Sequence, residues 1–99
     1  MLLLDRKVGE KIIINETMLM IVSAIKHDHI VVTMKDDVRG IHVQYRVPSN
    51  TARRIDQDVR LVYRQHSINQ VRLGFEAPKR IIILRMEVYL RAQRKRAAA

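Results

Sequence analysis

Residues 76–93 read EAPKRIIILRMEVYLRAQ. Ala77-Pro78 breaks any preceding strand, because proline cannot donate to a ladder. The apolar run Ile81 to Leu84, bounded by Arg80 and Arg85, reads as a strand over 80–85. Residues 86–96, MEVYLRAQRKR, favour helix, with basic residues crowding the last turns where the helix dipole favours them. Met86, Tyr89, Leu90 and Gln93 share one side of that helix, and Glu87 and Arg91 stand at i,i+4. The tail Ala97–Ala99 is expected to fray. A period of two puts Ile81, Ile83 and Arg85 on one face of the strand and Arg80, Ile82 and Leu84 on the other. The reading is that Ile82 and Leu84 serve the core, leaving Ile81, Ile83 and Arg85 for a site.

The period of two extends upstream. LLLDRK (2–7) and KIIIN (11–15) are strands around Val8-Gly9-Glu10, and 17–25 with 29–34 form a hairpin around KHDH. IHVQYRV (41–47) alternates and ends at Pro48. Ser49 and Asn50 are cap candidates for a short helix at 51–56. VRLVYRQ (59–65) and VRLGF (71–75) make another hairpin. Shifting residues 20–47 by 41 lays hairpin on hairpin and Ile41 on Ile82, but only three of the 28 pairs are identical. That pattern leaves duplication and coincidence both open.

A chain of 99 residues suggests one domain, 1–99, with little core of its own. It has no cysteine, so neither a disulfide nor a thiolate metal site reinforces it, and oligomerisation is the remaining common staple. No apolar run is long enough to span a bilayer, and the opening MLLLDRK lacks the charge order of a signal peptide. The expectation is a cytoplasmic protein without a membrane partner. The net charge is +9, and it is uneven. Residues 1–50 carry 7 Lys/Arg against 6 Asp/Glu, whereas residues 51–99 carry 12 against 4. The second half therefore suits a polyanion, the plainer alternative being a solvated basic surface. Four aromatic residues and no Trp disfavour a base-stacking platform.

Leu2, Leu4 and Arg6 repeat the pattern of Ile81, Ile83 and Arg85. Apolar-x-apolar-x-Arg sets a small apolar platform beside a guanidinium, which can bond a guanine edge or clamp a phosphate. The plainer alternative is an arginine snorkelling from the end of a core strand. His27-Asp28-His29 has metal-like residue types but lies in an expected turn with no fourth ligand nearby, so no metal is expected. Arg53-Arg54 and Arg94-Lys95-Arg96 are further phosphate contacts or solvated faces. No nucleophile–base pair, P-loop or glycine-rich cradle is visible, so neither an enzyme nor a cofactor is expected.

MLLLDRKVGEKIIIN and NQVRLGFEAPKRIIILRMEVYLRAQ resemble the two ends of the CsrA/RsmA family of bacterial RNA-binding regulators. The shared pieces are Met-Leu-x-Leu-x-Arg-(Arg/Lys)-x-Gly-Glu, then Asn-Gln-Val-Arg-(Ile/Leu)-Gly, Ala-Pro, Arg and a Tyr-containing helix, over residues 1–15 and about 58–93. The resemblance implies a mainly β fold: a small antiparallel sheet with a C-terminal helix, in a strand-interleaved homodimer. The first strand of one subunit would lie beside the last strand of the other. It implies binding of GGA motifs in messenger leaders, which blocks ribosome access and represses translation. Partners would be messenger RNA and titrating small RNAs, with a protein antagonist as a further candidate. Carried over by motif, the RNA-binding residues are Leu4, Arg6, Lys7, Ala77, Pro78, Ile81, Ile83, Arg85 and Val88. The backbone around Ala77-Pro78 is suited to reading base edges, Pro78 leaving its carbonyl free.

This chain departs from the family pattern at several points. Asp5 stands where Thr or Ser is usual, and Lys7 where Arg is common. Leu84 and Met86 replace polar residues. Residues 16–57 form an insertion, read as extra strands with the short helix, or as a degenerate copy of the family's third to fifth strands. Under the shift of 41, Arg85 falls on Gln44, Ile83 on His42 and Ile81 on Gly40, so such a copy lacks the platform and the arginine. Asp5, Lys7 and the insertion motivate an alternative function: a protein-interaction module that keeps the fold with weakened or lost RNA binding.

Overall fold

In the computed structural model, which describes residues 1–98, the chain folds into two antiparallel sheets that share one core. The strands are β1 (Leu2–Lys7), β2 (Lys11–Ile14), β3 (Met18–Ile25), β4 (His29–Asp36), β5 (Ile41–Pro48), β6 (Arg53–Asp56), β7 (Val59–Gln65), β8 (Gln70–Glu76) and β9 (Ile83–Arg85). Helix α1 (Met86–Ala98) closes the chain. One sheet has the order β1-β8-β7-β6, and the other β5-β4-β3-β2-β9.

Alternation along the strands builds the core. Met18, Met20 and Val22 of β3 and Ile30, Val32 and Met34 of β4 face Val59, Leu61 and Tyr63 of β7 and Val71, Leu73 and Phe75 of β8. A fully buried side chain of this kind contributes roughly 1.5–3 kcal/mol. Asp36 continues the inward stripe of β4 and is also buried. Its carboxylate accepts from Thr17 Oγ1 at 2.8 Å, from the N–H groups of Val38 and Arg39 at 3.0 and 3.1 Å, and from Arg39 Nε at 2.8 Å. The Arg39 guanidinium beside it, with these other donors, holds Asp36 down at about 2. Arg39 also donates to both oxygens of Asp56, so one arginine ties the β4–β5 turn to the other sheet. Arg80 pairs in the same region with Asp58.

The hairpins and the C-terminal helix lie where the sequence suggests, and three local expectations fail. The short helix at 51–56 is instead the strand β6 after a turn in which Asn50 has a φ of 60°. Pairing with β7 and burial of Ile55 outweigh the cap signals. The strand expected over 80–85 forms only at Ile83–Arg85. The Ile81 N–H donates to the Pro78 carbonyl at 3.0 Å, closing a turn, because residues 77–82 must carry the chain from β8 in one sheet to β9 in the other. Third, the faces of β9 are inverted. Ile83 is in register with Ile14 and is 9% exposed, and Ile81 packs against the core, whereas Ile82 is 51% exposed. Helix α1 runs through Ala98, past the expected start of fraying, and Ala99 lies outside the described residues.

The interleaving expected between two chains occurs within one. β1 lies on the edge of one sheet beside β8, and β9 on the edge of the other beside β2. Both sheets are complete enough to share a core without a second copy.

Candidate RNA interface

The N-terminal motif is built around a tight turn. Gly9, at a φ of +87°, donates to the Val22 carbonyl at 2.8 Å, and the Glu10 N–H donates to the Lys7 carbonyl at 3.0 Å. The Glu10 carboxylate accepts from the Lys7 N–H at 2.7 Å. This Gly-Glu pair sends the chain from β1 in one sheet to β2 in the other. It leaves Lys7 exposed at the end of β1.

Arg6, expected to offer a guanidinium to solvent, is 4% exposed. Nη1 and Nη2 donate to the two Glu87 carboxylate oxygens at 2.9 and 2.8 Å. Nε donates to the Asp5 carbonyl at 2.8 Å and Nη1 to the Lys11 carbonyl at 3.3 Å. A forked pair of this geometry is the strong form of a charged hydrogen bond. The Arg6 bonds hold Glu87 at about 2, well below the ordinary glutamate range. Glu87, expected opposite Arg91, is therefore the bolt between the first strand and the first turn of α1. No local spacing signals this pairing, since the partners are 81 residues apart.

Asp5 points the other way. Its carboxylate accepts from Arg72 Nε at 2.9 Å and Nη2 at 3.4 Å, with His66 Nε2 4.0 Å away. The bond from Arg72 holds its carboxyl below the usual range. Arg72 is the cross-strand neighbour of Asp5, so the charge that departs from the family pattern is neutralised within the sheet.

Where the edges of β1 and β9 approach, a cleft of about 390 Å³ opens, lined by Met1, Leu2, Phe75, Glu76, Ala77, Pro78, Lys79, Ile81 and Ile83. It gathers four of the residues carried over by motif: Ala77, Pro78, Ile81 and Ile83. Leu4 packs half-buried against the core beside this wall. Val88 is half-buried on the first turn of α1. Arg85 is exposed and in register with Ile12, and its side chain makes no hydrogen bond or ion pair among the described residues. Its charge also helps to lower Glu87. The Pro78 carbonyl, expected to be free, already accepts from Ile81 and keeps one lone pair for a ligand. Met1, Leu2 and Lys79 were missed as site residues, although Leu2 shares the period-two face of Leu4.

The cleft offers an apolar wall with Ala77 and Lys79 exposed in it and Arg85 exposed two residues beyond Ile83, whereas Lys7 stands at the other end of β1. Such a surface suits a nucleic-acid strand whose bases lie on aliphatic side chains. Among the described residues no helix is long and apolar enough to cross a membrane.

A family model described as "CsrA: Global regulator protein family" matches residues 50–94. No curated protein and no solved structure gives a significant match. The matched segment spans β6 to α1 and starts inside the region read as an insertion, so β6 takes part in the family-like unit. Proteins of this family are non-enzymatic RNA-binding regulators that generally form dimers. Over residues 50–94, a little under half of its length, the chain is similar to the CsrA family of global regulator proteins.

Proposed function

We propose that this protein is a post-transcriptional regulator that recognises GGA motifs in messenger leaders through the cleft between β1 and β9. Binding near a ribosome-binding site blocks ribosome access and represses translation, and small RNAs rich in the same motif compete for the protein. The observation that supports this reading best is the cleft itself. Ala77, Pro78, Ile81 and Ile83 meet Met1 and Leu2 there, with Lys79 in the lining and the exposed Arg85 two residues beyond Ile83 on β9. In this reading the bases lie against Leu2, Ile81 and Ile83, and backbone groups at Ala77-Pro78 read their edges. Arg85 bonds a guanine or a phosphate, while Leu4 and Val88 shape the wall. Arg6 acts by holding β1 against α1. The Asp5–Arg72 pair removes one ground for the alternative of a protein-interaction module, namely an uncompensated carboxylate on the strand.

The test is binding of a GGA hairpin and of the same hairpin carrying CCA, each at two salt concentrations. Recognition predicts a preference for GGA that persists as salt rises, on top of a common phosphate term that weakens with salt. Equal affinities would refute sequence recognition. Capture of a protein partner that survives ribonuclease, without GGA binding, would favour the alternative.

A further inference from the structure

Two three-stranded units in the chain share their pairing register under a single offset of 41, apart from a bulge at one end of β3·β4 and another at one end of β6·β7. In β2·β3, Ile12 faces Met20 and Ile13 faces Leu19, and in β6·β7, Arg53 faces Leu61 and Arg54 faces Arg60. In β3·β4, Met20 faces Met34 and Val22 faces Val32, and in β7·β8, Leu61 faces Phe75 and Tyr63 faces Leu73. β2-β3-β4 and β6-β7-β8 are therefore the two halves of a pseudo-dimer, one at the centre of each sheet.

The edges break this symmetry. β1 lies on β8 and β5 lies on β4, so these two edge strands are counterparts. Leu4 faces Leu73 and Arg6 faces Val71, while Tyr45 faces Val32 and Val47 faces Ile30. Tyr45, Val47 and Pro48 thus take the places of Leu4, Arg6 and Lys7. β5 follows β1 here and not β9, as the shift of 41 taken along the sequence had suggested. On the opposite edges, β9 covers β2, whereas β6 ends its sheet with no strand beyond it among the described residues. Among the described residues, the second edge has no counterpart of Ile83 or Arg85. The Tyr45 ring is instead covered by Arg53, whose guanidinium carbon lies 4.9 Å from its centroid.

We infer that one chain is a complete, monovalent binder: it folds as its own pseudo-dimer and carries a single RNA site, the second having been lost with the change of edge strands. A symmetric assembly of two chains presents two sites and can bridge two motifs. This chain engages one. The inference rests on the RNA reading above, because it counts the sites that reading assigns.

Native mass spectrometry and calorimetry on the full chain would test it, with hairpins carrying one GGA, two GGA or CCA. The expected species is one chain with one single-motif RNA, even at excess RNA. The two-motif RNA should recruit two chains, gaining only a statistical factor of about twofold and not the ~10²-fold or more of a bridging bivalent contact. Arg85→Ala should weaken GGA binding in a single phase, with no residual fraction binding as tightly as the parent protein, and Arg46→Ala on β5 should leave it unchanged. Two RNAs on one chain, or one single-motif RNA held between two chains, would overturn the single-site inference while leaving GGA recognition intact. Equal binding of GGA and CCA would overturn the RNA reading, and this inference with it.

Discussion

Arg6 on the first strand and Glu87 on the helix are 81 positions apart and meet in a forked ion pair at 2.8 and 2.9 Å. This pair joins the edge of one sheet to the element that follows the edge of the other.

Arg6→Ala should therefore destabilise the fold by about 1.5–3 kcal/mol, the range for hydrogen bonds to charged groups. Glu87 is half exposed and can rehydrate, so the penalty should not reach that of a fully buried pair. Urea denaturation measures it, and an unchanged midpoint would show that the pair is dispensable.

The same pair should make the protein acid-labile. The folded-state pKa of Glu87 is depressed to about 2 from its ordinary 4.5, and that of Asp36 to about 2 from 3.8. Depressed carboxylates stabilise fully above their unfolded values, and the contribution fades as pH falls through the folded values. Stability should fall between about pH 4.5 and 2. Denaturation midpoints across that window should drop less in Glu87→Gln than in the parent protein. Identical slopes would remove Glu87 from the account.

Arg85→Ala should leave folding unchanged, since the side chain is exposed and has no protein partner among the described residues. It should weaken GGA binding by about 1–3 kcal/mol and narrow the preference over CCA. Full retention of specificity would mean that the recognising arginine lies elsewhere.

Under the proposed RNA reading, Arg72→Ala should weaken RNA binding, because it removes an exposed cation and leaves the Asp5 carboxylate without its hydrogen-bond partner. Asp5→Asn in the same chain should restore most of the loss. The pair is solvent-exposed, so either change should cost stability little, about 0–1 kcal/mol. A double-mutant cycle on binding checks the coupling, and additive effects would contradict it.

Gly74→Ala should destabilise the first sheet. A Cβ there would lie 2.6 Å from Met1 Sδ and 2.9 Å from Val62 Cγ2. Met1 can swing aside, but Val62 is held in its strand, so overpacking of about 1–3 kcal/mol is expected. Thermal melting reports it. This crowding gives a physical reason for glycine in Val71-Arg72-Leu73-Gly74: the start of the chain lies across it.

By itself the sequence determined the elements built from local signals. Alternation and turn residues specified the hairpins 17–25/29–34 and 59–65/71–75, and helix-forming residues specified the end of the chain. The two end motifs pointed to the family, and the residues of the cleft at Ala77, Pro78, Ile81 and Ile83 were legible with it. Tertiary structure decided which edge each single strand joined, because such a strand pairs with whatever edge the rest of the fold leaves open. Hence β5 folded back on β4, β9 crossed to β2, and residues 53–56 became β6 in place of a helix. Ile81–Leu84 is apolar on both faces, so pattern alone had no means to choose its inner side, and pairing with Ile14 made that choice for Ile83. Arg6 reads as a ligand-binding cation until Glu87 arrives from the far end of the chain and takes its hydrogen bonds.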